Sequence, residues 1–163
     1  MFRKMRRFNQ QISLSESIEI LEKGKTGVLA VLGDNGYPYT IPLNYVYSDN
    51  KIYFHCAKTG HKISALQNCD KVSFCVVDKD EVVAEKLTTY FRSVVVFGKA
   101  KILTETEDIV KAAQILGLKY YNNPEFIDSE IQNFINTLCC VQISAEHITG
   151  KQAKELISEQ NPR

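Results

Sequence analysis

The stretch GVLAVLG-DNG-YPYTIPLNYVY-SDN-KIYFHCA, residues 27–57, decides the fold. Three runs rich in β-branched and aromatic residues alternate with two short turns built from Asp, Asn, Gly and Ser, the residue types that hairpin connections require. Consecutive strands joined by tight turns predict an antiparallel barrel in preference to a βαβ sheet. Pro38 and Pro42 add a second inference. Proline has no N–H to give a ladder, so two of them in one run predict an edge or opening where backbone is left free for a ligand.

Upstream, SLSESIEILEKG (13–24) places Ile18 and Leu21 at helical spacing, with Ser13 and Glu16 as a capping box and Gly24 as a stop. Downstream, KISALQN (62–68) suits a short helix, KVSFCVVD (71–78) a strand, and TYFRSVVVFGKAKIL (89–103) a long strand with a bulge or bend at Gly98. The polar segment 79–88 reads as a loop. Thr104 and Glu107 predict a second capping box ahead of a helix over 108–121, which Asn122-Asn123-Pro124 ends. DSEIQNFINTL (128–138) reads as another helix, CCVQISAEHI (139–148) as the last strand, the Thr149-Gly150-Lys151 turn as a strand end, and KQAKELISEQ (151–160) as a charged tail helix. The expectation is a mostly β fold: a six-stranded antiparallel split β-barrel with flanking helices. No repeat, linker or low-complexity tract divides residues 1–163, which are expected to form one domain.

Lys and Arg number 20 and Asp and Glu 19, a formal charge of +1, so no global field draws the chain to nucleic acid or to an anionic membrane. No apolar run approaches the roughly 20 residues of a membrane span, and the basic start MFRKMRRFNQQ lacks the apolar core of a secretory signal. Its cations, Arg3, Lys4, Arg6 and Arg7, are read as a solvated or dimer-contacting arm. The five cysteines are odd in number and lack CxxC spacing, which predicts free thiols in a reducing, cytoplasmic setting. GxGxxG, the P-loop and GxSxG are all absent.

The densest chemistry lies in YFHCAKTGHKISALQN, residues 53–68. A strand delivers His55 to a loop, Gly60 lets the backbone bend, and His61 and Lys62 stand in the first turn of a helix. Free N–H groups, the positive end of the helix and an ammonium together suit a phosphate; a solvated strand-to-helix turn has the same pattern. His55 shares a strand face with Tyr53 and Ala57, where it faces either a pocket or the core. Zinc held by His55, Cys56 and His61 is disfavoured, because adjacent strand residues point to opposite faces.

These residues resemble the FMN-binding split-barrel superfamily typified by pyridoxamine 5′-phosphate oxidase, and most closely its 5-nitroimidazole-resistance branch. The likeness covers nearly the whole chain and rests on MFRKMRR, GYPYTIPLNYVY, KIYFHCAKTGHKI, KVSFCVV, TTYFRSVVVFGKA and ITGK. It implies FMN shared between the two chains of a homodimer. Thr40, Ile41, Pro42, Leu43 and Asn44 would lie along the flavin ring, and His55, Cys56 and Ala57 beside the ribityl chain. Gly60, His61 and Lys62 would hold the phosphate, with His61 standing where the oxidases carry an arginine. Ser93 falls where they carry a glutamine that reaches the cofactor. His55 becomes the implied catalytic or substrate-orienting group. One departure is informative: the oxidases close their substrate site with a C-terminal Trp and Arg segment, and this chain has no tryptophan. Synthesis of pyridoxal phosphate is therefore not expected. The implied activity is an FMN-dependent oxidoreductase acting on small acceptors such as nitroaromatics; the alternatives are a flavin-binding or sensing protein without turnover and a haem-degrading relative.

Overall fold

The structure, a computed structural model, describes residues 1–160, with side chains to residue 157; the final three positions of the expected domain lie outside the described residues. Strands β1 (Gln11–Ile12), β2 (Thr26–Leu32), β3 (Pro38–Asn44), β4 (Val46–Ser48), β5 (Lys51–Ala57), β6 (Lys71–Val83), β7 (Thr88–Ile102) and β8 (Leu138–Gln152) form one antiparallel sheet. Its order is β3-β2-β6-β7-β8-β5-β4, with β1 added beside β8. Helices α1 (Leu14–Lys23), α2 (His61–Asn68), α3 (Thr106–Tyr120), α4 (Pro124–Phe134) and α5 (Lys154–Gln160) flank it.

The two ends of that strand order, β3 and β4, are consecutive in the chain and separated by Tyr45 alone. One residue spans only a few ångströms, so the sheet must curl until its edges meet at this corner, with no ladder joining them. This is the split of the barrel. Tyr45 holds it shut: fully buried, its hydroxyl donates to Leu21 O at 2.7 Å, and its amide donates to the Tyr120 hydroxyl at 3.1 Å. The Lys119 ammonium lies 4.2 Å from the centre of the Tyr45 ring and donates to Gly24 O at 2.5 Å. The end of α3 thus clips the crossover between the two edges.

Alternation sorts the sheet into faces. Leu29, Phe74, Val94, Val96, Phe54, Val141 and Ile143 point inward and are buried to within about 1%, each worth ~1.5–3 kcal/mol by burial. Ile63, Ala65 and Leu66 of α2 join that core and plug one mouth of the barrel. A second cluster of Ala112, Ala113, Ile127, Ile131, Leu103 and Cys140 fixes α3 and α4 to the outside of β8. The five cysteines are free.

Several elements depart from their sequence reading. The class holds, but the described residues form eight strands in place of six. The run 37–47 breaks at Tyr45 because one strand cannot serve both edges of a curled sheet. The expected loop 79–88 is the end of a long hairpin, whose strands run on to Val83 and from Thr88. It projects with both faces largely open to solvent, even at Val82 and Leu87, so no burial enforces alternation and the period-2 signal disappears. The second capping box does not form: α3 starts at Thr106 with Glu105 at its N-cap, and Thr104 Oγ1 donates to the Glu105 carboxylate at 3.3 Å. Asn123, read as a terminator, opens α4 instead by accepting the Phe126 amide at 3.1 Å. The Thr149-Gly150-Lys151 segment is strand, paired with Ser93–Val95, and the tail helix starts only at Lys154. The irregularity foreseen at Gly98 is a register shift at Phe97/Gly98 that leaves Glu146 of β8 without a partner. The edge signalled by Pro38 and Pro42 is β3, which pairs only with β2.

Candidate functional site

Residues 58–60 carry the chain from β5 into α2, and Gly60 takes φ +124°, ψ 169°, a conformation that costs a side-chain-bearing residue dearly. A Cβ built there meets no atom within 4 Å, so the backbone borders open space. No side chain caps α2 and no acidic residue occupies its first turn, whereas α1, α3, α4 and α5 each carry Glu or Asp there. The positive end of α2 is therefore left for something outside the chain.

Two side chains frame this end. His61 stacks on Tyr39 of the edge strand, with ring centres 4.2 Å apart and planes at 10°, and its Nε2 lies 3.4 Å from Asp34 Oδ2. Lys62 reaches back over the barrel mouth, its Nζ 5.4 Å from the centre of the buried Phe54 ring. Sequence reading missed Tyr39 and Asp34. The only hint was an aromatic between two prolines, because what brings them to His61 is the packing of α2 against the β2–β3 hairpin.

His55 projects from the outer face of β5 into a groove of about 630 Å³ between the split and the α3–α4 hairpin. Asn44, at the end of β3, lines the same groove from the other side of the split. Leu116, Tyr120, Tyr121, Phe126 and Phe134 make most of its wall; among the described residues Glu130 is its one carboxylate, and no Lys or Arg lines it. Close approach of the two helices depends on Gly117, where a Cβ would come within 2.9 Å of Ile127. Burial, and secondarily the Lys62 ammonium, hold the His55 imidazole below its ordinary pKa of 6.5, so it is neutral at pH 7. Burial and the neighbouring Cys139 push the Cys56 thiol up to about 11, which makes it an inert wall group at neutral pH.

The expected site residues thus fall into three sets. Gly60, His61 and Lys62 meet the start of β3; Asn44, His55 and Cys56 meet at the groove; Lys62 links the two by its charge. On β3, Thr40, Pro42 and Asn44 face outward, while Ile41 and Leu43 pack against the core and offer only backbone. Ala57 is exposed at the end of β5. Ser93 stands apart. Thr40, Ala30, Ser73 and Phe97 form one row across the sheet, and Ser93 lies four residues, roughly 13 Å, along β7 from that row. It sits on the outer face opposite Lys151 of β8. Among the described residues no group of His, Cys, Asp or Glu could hold a metal, and no helix is long and apolar enough to cross a membrane.

A family model described as pyridoxamine 5′-phosphate oxidase matches residues 13–152. The chain belongs to that family. Among solved structures, a candidate 5-nitroimidazole antibiotic resistance protein of Bacteroides thetaiotaomicron is similar, with a TM-score of 0.72, 19% identity, and coverage of 87% of this chain and 86% of that one. A conserved hypothetical protein of Mycobacterium tuberculosis gives 0.79 and 22%, covering 94% and 92%. An FAD-binding protein of Mesorhizobium loti gives 0.62 and 23%, covering 88% and 97%. At these identities the likeness establishes the fold. No curated protein matches the chain.

Proposed function

We propose that this chain is an FMN-dependent oxidoreductase that works as a homodimer and reduces small, uncharged aromatic acceptors, with 5-nitroimidazoles as the first candidates. The observation that carries the reading is the start of α2: a helix whose positive end has neither cap nor acid, entered through an open glycine and flanked by Lys62. A phosphomonoester fits that donor set of amides plus ammonium. The flavin-binding description of the Mesorhizobium loti protein, on the same fold, supports a flavin as the nucleotide.

Gly60, His61 and Lys62 would hold the phosphate, and the edge of β3 from Thr40 to Asn44 would face the ring, with His55, Cys56 and Ala57 beyond. Bound FMN supplies two-electron chemistry. The chain's own residues do the rest. The α3–α4 wall gives the groove an apolar lining, and the neutral imidazole of His55 offers one N–H and one lone pair to orient an acceptor, a holding role rather than that of a standing acid. With Glu130 and, among the described residues, no cation in its wall, the groove disfavours phosphorylated or carboxylated substrates and suits flat neutral ones. The resistance description of the Bacteroides thetaiotaomicron protein agrees with a nitroaromatic.

Support for the dimer comes from the outer sheet face, where Val28, Val77 and Phe97 are 37%, 59% and 40% exposed. Ser93 and Lys151 share that face, far from the α2 end of the same chain, so their route to a flavin would be across a dimer interface. Light scattering on the FMN-loaded protein is expected to report two chains; a monomer that retains FMN would remove this part.

The test of the whole is a titration of purified protein with FMN, followed by anaerobic reduction and addition of metronidazole. Saturable binding, bleaching on reduction and reoxidation by the nitro compound are expected. A protein that ignores FMN overturns the reading. One that binds FMN but transfers nothing to acceptors is a flavin-binding protein without turnover.

A further inference from the structure

Helix α4 carries an anomaly on the face it turns to the His55 groove. Phe126, Glu130 and Phe134 are spaced four apart, so they form one stripe along the helix, and all three line the groove. A stripe that faces an apolar wall calls for a third apolar side chain, and a half-buried carboxylate stands there instead. Glu130 forms no ion pair among the described residues, and its hydrogen bond from Asn133 Nδ2, three residues on, is long at 3.4 Å. Asp128 of the same helix is by contrast taken up by Gln114 Nε2 at 2.8 Å.

The other polar side chains of the groove are tied to the chain's own backbone. Asn44 Nδ2 donates to Lys25 O at 3.0 Å, the Tyr120 hydroxyl bridges the Tyr45 amide and Lys25 O, and Thr137 Oγ1 donates to Phe134 O at 3.1 Å. Tyr121 stands at the rim, 53% exposed and edge-on to Phe126. Two groups are left for a bound molecule: the imidazole of His55 on β5 and the carboxylate of Glu130 on α4. No ion pair joins them among the described residues, so a ligand lying along the aromatic wall meets a donor at one end and a pure acceptor at the other. In an apolar wall such an acceptor favours a molecule that brings it a hydrogen, and penalises an isostere that leaves the charge desolvated and unpaired.

We propose that Glu130 sets the specificity of this groove, selecting flat, neutral acceptors that carry a hydroxyl or N–H donor at the end away from the reducible group. The inference rests on the flavin reading above and adds to it the donor that the substrate must bear.

The experiment is calorimetric titration of the oxidised, FMN-loaded protein with metronidazole, whose side chain ends in a hydroxyl, and with its analogue bearing a methyl group in place of that hydroxyl, repeated on Glu130→Leu, Glu130→Gln and His55→Ala. With no reductant present only binding is read, and the ratio of the two affinities within one variant is insensitive to a fraction that fails to fold. Wild type is expected to prefer metronidazole by about tenfold. The ratio should fall to one or below in Glu130→Leu and lie between in Glu130→Gln, which keeps an acceptor but loses the charge. His55→Ala should weaken both ligands and leave the ratio unchanged. Equal affinities in wild type overturn the proposal, as does a preference that survives Glu130→Leu. A preference lost in His55→Ala assigns the hydroxyl to the imidazole and also overturns it. FMN uptake is read from the flavin spectrum before any ligand is added: a protein that takes up none overturns the flavin reading and this proposal with it, whereas one that loads FMN and shows no preference overturns this proposal alone.

Discussion

Helices α1 and α2 begin in opposite ways. At the start of α1, Ser13 accepts the Glu16 amide at 3.2 Å while the Glu16 carboxylate takes the Ser13 amide at 2.9 Å, so the orphan donors are satisfied from within the chain. Burial counts for little there; the Ser13 hydroxyl, which donates to the Glu16 carboxylate at 2.7 Å, and after it the Ser13 amide hold the Glu16 carboxyl below its ordinary pKa of 4.5. At the start of α2 a glycine stands where the cap would be, Ile63 takes the position of Glu16, and the first turn carries a lysine, Lys62, and no acid. The first arrangement stabilises the fold; the second forgoes that stabilisation and leaves the first amides of the helix without a side-chain partner. The difference teaches that a missing cap is informative when the same turn also lacks an acid and opens on free space.

The largest effect is expected from making α2 resemble α1. Lys62→Glu supplies the missing acid and removes the cation, so FMN affinity should fall by roughly a hundredfold or more, about 2.7 kcal/mol, with the melting temperature unchanged or slightly higher. Flavin fluorescence titration beside a thermal melt checks both halves, and a variant that binds FMN as tightly as wild type breaks the comparison.

The reciprocal change is smaller. Ser13→Ala opens the capping box of α1 and should cost about 1 kcal/mol, lowering the melting temperature by roughly 2–4 °C with no change in FMN affinity. A drop in flavin binding here would mean that the two helix starts are not separate in function.

Lys62 also acts on His55, and a pH titration sharpens that link. The ring proton shifts of His55 should titrate below the ordinary range, and in Lys62→Ala the midpoint should move part of the way back up, since burial, the larger cause, remains. The sign for stability follows. The folded pKa is depressed, so as pH falls through about 6.5 the unfolded chain takes up this proton first, and the contribution of His55 to stability is lost. An unchanged midpoint in Lys62→Ala would separate the two groups.

A third helix end gives the smallest and most specific effect. Lys119, in the last turn of α3, is held by burial at a pKa of about 8 against an ordinary 10.5. Between those values the unfolded chain binds the extra proton, so this group makes stability rise with pH from about 8 to 10.5. Cys56, from 9 to about 11, and Tyr45, from about 10 upward, have pKa values that burial raises and work in the opposite sense where these windows overlap. The difference between wild type and Lys119→Met isolates the clip: urea midpoints at pH 8 and pH 10 should diverge in wild type's favour as pH rises.

Much of the site was legible because its signals are local. Gly60, His61 and Lys62 follow one another directly, and the prolines of β3 announce an edge wherever the strand ends up. Tyr39 and Asp34 carry no local signal; they matter because the hairpin that holds them packs on α2. The groove beside His55 was equally hidden, since Tyr121, Phe126 and Glu130 lie some 65 or more residues away in sequence and meet the imidazole only through the α3–α4 hairpin. The hairpin arm 79–88 was misread for a related reason: with neither face buried, nothing forces apolar and polar residues to alternate.

By itself the sequence determined the strands that are buried on one face, the two helix starts and the position of the glycine turn ahead of α2, because period, caps and glycine conformation act over a few residues. Only the tertiary structure decided that β3 and β4 are opposite edges brought together at Tyr45, that His55 opens outward onto an apolar groove, and that Ser93 is far from the turn it was grouped with. Those outcomes depend on the direction in which a whole sheet curls and on which edge a strand joins. That is set by the summed burial of many inward side chains, and no short stretch of residues records it.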